Sequence, residues 1–179
     1  MTKKQWQILT LMTISVLTVI GINTEVMGAE DVVIRCGSFR MGISHKDIVT
    51  FAETGKKSGN LEIYFNATKQ DPKIMQRVLK QNIPVDGVML SKVLNHSWSS
   101  FLLNPLAEVI TTPSDSASMQ SLRGALVLSA LNDNQLSILE IIENYPTAEV
   151  HLQGDKILET YQTLENIMGS IGKWGKEEK

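Results

Sequence analysis

The sequence predicts a mainly α domain, a bundle of about seven to eight short helices with a small antiparallel β-sheet. Three observations carry this. An almost uninterrupted apolar stretch runs from Met119 to Tyr145 and is broken only at Asn132-Asp133-Asn134. Helix-capping signals recur along the chain. Strict apolar alternation is confined to one early segment, Val32 to Ile43, and to a third strand expected at Ala148 to Gln153.

The apolar stretch is the expected centre. Met119, Leu122, Ala125, Leu126, Val127, Leu128, Ala130 and Leu131 cover most of one helix's circumference, the mark of a buried helix. Ser137 with Glu140 then forms a capping box, Ile138, Leu139, Ile141, Ile142 and Tyr145 supply apolar faces, and Pro146 stops the helix.

Before this centre, Val32, Ile34 and Cys36 alternate with Val33 and Arg35, and Phe39, Met41 and Ile43 with Arg40 and Gly42. Gly37-Ser38 between them is a hairpin turn, the glycine providing positive φ. Ser44 and Asp47 cap a helix over 45–54 that Gly55 ends. Leu61, Tyr64, Phe65 and Thr68 place a second helix over 61–69, and Asp71-Pro72 opens a third carrying Met75, Val78 and Leu79. Ile83-Pro84 is read as the start of a fourth. A fifth, from Trp98 through Val109 and Ile110, is expected to kink at Pro105 or to restart from Asn104. Thr111 to Ser116 is a polar loop. Asp155 caps a last helix bearing Ile157, Leu158, Tyr161, Leu164, Ile167 and Met168.

Composition bounds the partners. Length favours one domain, expected over 30–170, with 171–179 a flexible charged tail. Net charge is −2, and basic residues are scattered among acids, which argues against a nucleic-acid backbone as partner. Residues 1–29 have a signal-peptide layout: Lys3 and Lys4, an apolar run from Ile8 to Ile22, and small residues at Gly28 and Ala29. Removing them leaves 15 basic and 18 acidic residues. The expectation is export, to the periplasm, the extracellular space or a thylakoid lumen, with membrane contact only through an uncleaved leader. Cys36 is the single cysteine, so no internal disulfide can form and stability must come from packing.

Catalytic signatures are sparse. Gly-x-Ser-x-Gly, which mounts a nucleophilic serine on a strand-to-helix turn, does not occur. No phosphate loop or dinucleotide fingerprint is present, and no cofactor or metal is implied. His45, His96 and His151 stand apart from other ligand-type residues at metal spacing, and Glu53, Asp86 and Glu140 form no catalytic carboxylate pair in sequence. Arg123, on the most apolar helix, needs a partner. Candidates are an ion pair with Asp86 or Glu53, a helix-end carbonyl, or an anion.

One set of motifs resembles a known family: Val33 to Phe39, Phe51 to Gly55, Ile83 to Asp86, Val109 to Pro113, Leu122 to Leu126, Leu136 to Leu139 and Tyr145 to Thr147. Together they are similar to the cyanobacterial domain of unknown function 1400, which carries an alpha/beta hydrolase label. The resemblance implies a region that precedes a hydrolase-like part in longer secreted proteins, and no catalytic residue transfers to this chain. The leading expectation is an exported, non-catalytic binding or accessory module whose partner is a protein or a small apolar ligand. Its rivals are an esterase-like hydrolase with an unrecognised or partner-completed site and a carrier of an apolar ligand between helices.

The leader makes the first prediction. Terminal sequencing of the protein from its own cells should read a mature start at Ala29 or Glu30; an intact Met1 on membrane-bound material would assign the leader as an anchor instead.

Overall fold

A computed structural model describes residues 28–97, 99–114 and 118–177, with side chains except at 101 and 174–177. The expected leader up to residue 27, Trp98, the polar-loop residues Asp115 and Ser116, and the last two residues lie outside them.

Eight α-helices and a small sheet account for the fold among the described residues. Strands β1 (Asp31–Cys36) and β2 (Phe39–Ser44) form the hairpin, with Cys36 opposite Phe39 and Gly37 at φ 56° in the turn. Helices α1 (His45–Thr54) and α3 (Pro72–Lys80) follow where the caps place them, and α2 (Gly59–Thr68) lies between them with no side-chain cap at Ser58. Ser44 accepts from the Asp47 N–H at 3.2 Å, Asp71 from Lys73, and Gly55 ends α1 at φ 74°. Next come β3 (Ile83–Pro84), α4 (Gly87–Leu94), α5 (Ser100–Ala107) and β4 (Ile110–Thr111). The chain continues through α6 (Ser118–Asp133), β5 (Gln135–Leu136), α7 (Ile138–Glu143), β6 (Glu149–Gln153), one 3₁₀ turn (Gly154–Lys156) and α8 (Ile157–Glu177).

The principal sheet runs β2-β1-β6-β4. The third strand forms where expected. Its pairing with β1 is parallel, Val32 beside Val150 and Ile34 beside Leu152, while the β1–β2 and β4–β6 pairs are antiparallel. Val32, Ile34, Ile43, Val150, Leu152 and Ile110 fill the inner face of this sheet and join one continuous core with the helices. Two adjacent strands joined through more than a hundred residues can run parallel because helices provide the crossover.

Several elements depart from the sequence reading. Ile83-Pro84 does not begin a helix: a residue before proline is driven to extended backbone. The pair instead forms a two-residue strand against Gln135-Leu136. The helix starts later, where the Asp86 carboxylate caps Met89 N–H at 2.9 Å. Helix α5 tolerates Pro105 near its end and stops at Ala107. Asn104 caps nothing new, its carbonyl accepting from Glu108 N–H, and Ile110 leaves the helical pattern to become an edge strand beside Leu152. Helix α6 is one-sided, with Leu122, Ala125, Leu126 and Ala130 buried and Leu128 and Leu131 exposed. Leu158 is likewise exposed on α8. The tail expected from residue 171 is helical through Glu177, and Ile171 is buried in the core.

Helix α6 still organises the interior, packing on α4, α5, α7, β4 and β5. It lies close against α4, where an added Cβ on Gly87 would stand 2.6 Å from the Ala130 carbonyl oxygen. Backbone cannot yield as a flexible side chain can. Gly87→Ala is therefore expected to destabilise by about 1–3 kcal/mol, while Val88→Ala at the exposed neighbouring position leaves urea denaturation midpoints within error.

Candidate functional site

The densest polar arrangement lies on the outer face of the sheet. Side chains alternate across a strand, so Asp31, Val33 and Arg35 of β1 share that face with Glu149, His151 and Gln153 of β6. Arg40 of β2 and Thr111 of β4 complete the rows, because Arg40 is directly opposite Arg35, Gln153 is beside it, and Thr111 pairs with His151. One end of the face is acidic, with Asp31 next to Glu149. The other is basic.

His151 connects the two ends and is only 3% exposed. Its Nδ1 lies 2.8 Å from an Arg35 Nη2 and its Nε2 lies 2.5 Å from a Glu149 carboxylate oxygen. The tautomer follows from chemistry, because a guanidinium only donates. Nδ1 must accept, so Nε2 carries the proton and donates to Glu149. Both ring nitrogens are thereby occupied, and the ring holds Arg35 in place.

Beside Arg35 opens a cavity of about 400 Å³. The sheet contributes Arg35, Thr111 and Gln153, the end of α5 contributes Ala107 and Glu108, and the start of α6 contributes Ser118 and Met119. The turn into α6 is pinned there: Thr112 N–H donates to Ser118 Oγ at 3.0 Å, and the two hydroxyls lie 3.1 Å apart. The Tyr145 hydroxyl, raised well above its usual range by burial, donates to the Ser118 carbonyl at 3.5 Å. The Arg35 Nε–H is buried and has no hydrogen-bond partner among the described residues.

A profile of the family described as alpha/beta hydrolase of unknown function, the domain of unknown function 1400, matches residues 28–153. The chain belongs to that family. No curated protein and no solved structure matches it.

In this member of the family, Ser44 and Ser137, two serines at strand-to-helix junctions, serve as caps. Ser44, between β2 and α1, accepts from Asp47 N–H; Ser137, between β5 and α7, accepts from Glu140 N–H and donates to the Glu140 carboxylate. Both have extended backbones, at φ −62° and −126°, without the strain of a nucleophile elbow. Among the described residues, the only non-glycine residues at positive φ are Lys69 and Asn134, at helix ends.

The residues singled out from sequence are dispersed. Arg123 donates from Nη2 to Ser99 Oγ at 3.1 Å and lines a surface hollow of about 380 Å³, and its Nε–H has no partner among the described residues. Asp86 caps α4, and Glu53 acts on Glu143 instead. His96, at the end of α4, is exposed. Cys36 is half-buried on β1, its thiol pushed up by burial and by the Asp155 charge. Gln70 joins it to the 3₁₀ turn, accepting from the Tyr64 hydroxyl and donating to the Gly154 carbonyl. Among the described residues, no group of three His, Cys, Asp or Glu could hold a metal ion, and no helix is long and apolar enough to cross a membrane. Arg35, Glu149 and the fixed His151 had no motif to announce them. Their one sequence signal was polar residues recurring at period two on strands.

A second charged group gathers at the start of α1. His45 Nε2 lies 3.9 Å from a Glu143 carboxylate oxygen. Burial pushes the Glu143 carboxyl up, His45 draws it back down, and Glu140 and Glu53 add to the net rise. A raised carboxyl favours the fold below its unfolded value and loses that advantage as pH climbs through the folded value. Glu143→Gln is expected to raise the melting temperature by about 1–2 °C at pH 7. Melts repeated below pH 4.5, the ordinary glutamate value, should show the two proteins alike.

Proposed function

We propose that this domain is an exported, non-catalytic binding or accessory module, and that its binding site is the cavity beside Arg35. The observation that carries the reading is the state of His151. A general base needs a free ring nitrogen within reach of a nucleophile's proton, whereas this imidazole accepts from Arg35 and donates to Glu149. The array thus fixes a cation at the edge of a cavity, a typical way to recognise a ligand. Export rests on the leader's sequence pattern.

The family's label supplies the competing reading, a hydrolase. Acyl transfer requires an activated nucleophile and donors aimed at the developing oxyanion. Ser44 and Ser137 are used by helix caps, which favours the module. Purified protein incubated with short- and long-chain acyl esters and with a fluorophosphonate probe is expected to show no turnover above buffer. Turnover abolished by replacing one particular serine would overturn the proposal. In parallel, affinity capture from envelope extracts should recover a partner that Arg35→Gln fails to retain.

A further inference from the structure

We infer that the cavity beside Arg35 takes the carboxylate of a small monoanionic ligand; this rests on the binding-module reading and names its ligand class. Four features converge. The Arg35 Nε–H is buried and has no acceptor among the described residues, and a buried donor without an acceptor is costly enough that native structures rarely keep one. The guanidinium is not free to turn away and find one, because His151 Nδ1 holds Nη2 at 2.8 Å. Arg40 stands directly opposite Arg35 across the hairpin, a like-charge pairing that is unfavourable by itself and is relieved by an anion between or beside the two. The cavity of about 400 Å³ places Arg35 with the neutral polar groups of Thr111 and Gln153 and with apolar Met119, a suitable lining for a charged head on a neutral body.

The sign and shape of the site narrow the anion. A guanidinium presents a planar fork that matches two carboxylate oxygens. Glu108 lines the same cavity and Glu149 sits behind His151, so a dianion would meet repulsion that a single negative charge largely escapes. A monocarboxylate satisfies the fork without overloading the site. Its source is either a free small acid or the C-terminus of a polypeptide, since both present the same group.

Isothermal titration of the full chain distinguishes these outcomes. Hexanoate is the first probe, with hexanamide as its neutral match, hexyl phosphate as the dianion, and one tripeptide with a free or an amidated C-terminus. Hexanoate is expected to bind, hexanamide not to compete with it, and hexyl phosphate to bind more weakly. Arg35→Gln should weaken hexanoate at least tenfold, while Glu108→Gln should tighten it about two- to fivefold. Hexanamide binding as well as hexanoate, or a folded Arg35→Gln protein with unchanged affinity, overturns the inference. Should Arg35→Gln fail to fold, the Glu108→Gln protein decides, and unchanged hexanoate affinity there is the negative result. A free-ended tripeptide that outbinds both hexanoate and its own amide assigns the site to a polypeptide terminus, and parity with hexanoate assigns it to a small acid. If no carboxylate binds yet partner capture still depends on Arg35, the ligand class fails and the binding module stands. Ester turnover would remove the module reading and leave a measured carboxylate affinity intact.

Discussion

The parallel pairing of β1 with β6 is the constraint on which the rest depends. It joins Asp31–Arg35 to Glu149–Gln153, so apart from β2 and β4, which pair onto the outer sides of these two strands, the chain between leaves the sheet and returns to it as a large crossover. The six helices α1 to α6 and α7 after them fill that crossover. Loop-closure entropy for so long an excursion is substantial, and only contacts along the route can offset it. Here they are continuous: buried residues from every one of these helices join the strands in a single core. The matched family segment, 28–153, begins just before β1 and ends at the last residue of β6. The unit common to the family is thus bounded by the two strands that close it.

The same pairing creates the outer face. A parallel register puts Arg35 beside Gln153 and Val33 beside His151, and strand periodicity puts Glu149 two positions from His151 on that side. A buried imidazole would be expensive without partners, and this one has two. Its neutral, Nε2-protonated form passes the polarity of the guanidinium to the carboxylate without placing an additional charge in the sheet. Stability and recognition therefore share one arrangement: the contacts that make His151 tolerable are those that immobilise Arg35. The Arg35 Nε–H is left without an acceptor among the described residues.

Local chemistry was legible in the sequence, and long-range chemistry was not. Ser44, Gly55, Asp71-Pro72 and the Ser137–Glu140 capping box each act within four residues of the backbone they satisfy, and each sits where it was read. The hairpin turn at Gly37 is equally local. Ile83-Pro84 is ambiguous in sequence because its apolar character suits either a helix start or a strand, and only the pairing with Leu136 decides. Ile110 failed for a related reason: it keeps helical spacing with Leu106, yet the open edge of β6 offered it hydrogen bonds that the helix did not. Arg123 stands out in sequence as a charge on an apolar helix, although that helix is buried on one side only. Arg35 does not, because its significance depends on a residue 116 positions away.

Helix α8 sets a further condition on the domain. It follows the matched segment, yet Leu164, Met168 and Ile171 are buried in the common core. The spacing of Ile157, Tyr161, Leu164, Met168 and Ile171 is a continuous helical stripe, and α8 packs on α3, α4, α5 and β3. Those elements all precede β6, so their faces toward α8 are complete only once the chain has continued past the sheet. Closing the sheet is therefore not the same as closing the core. The β1–β6 pair fixes the topology of the sheet, and in this chain the apolar helix beyond it removes the last large faces of the core from water.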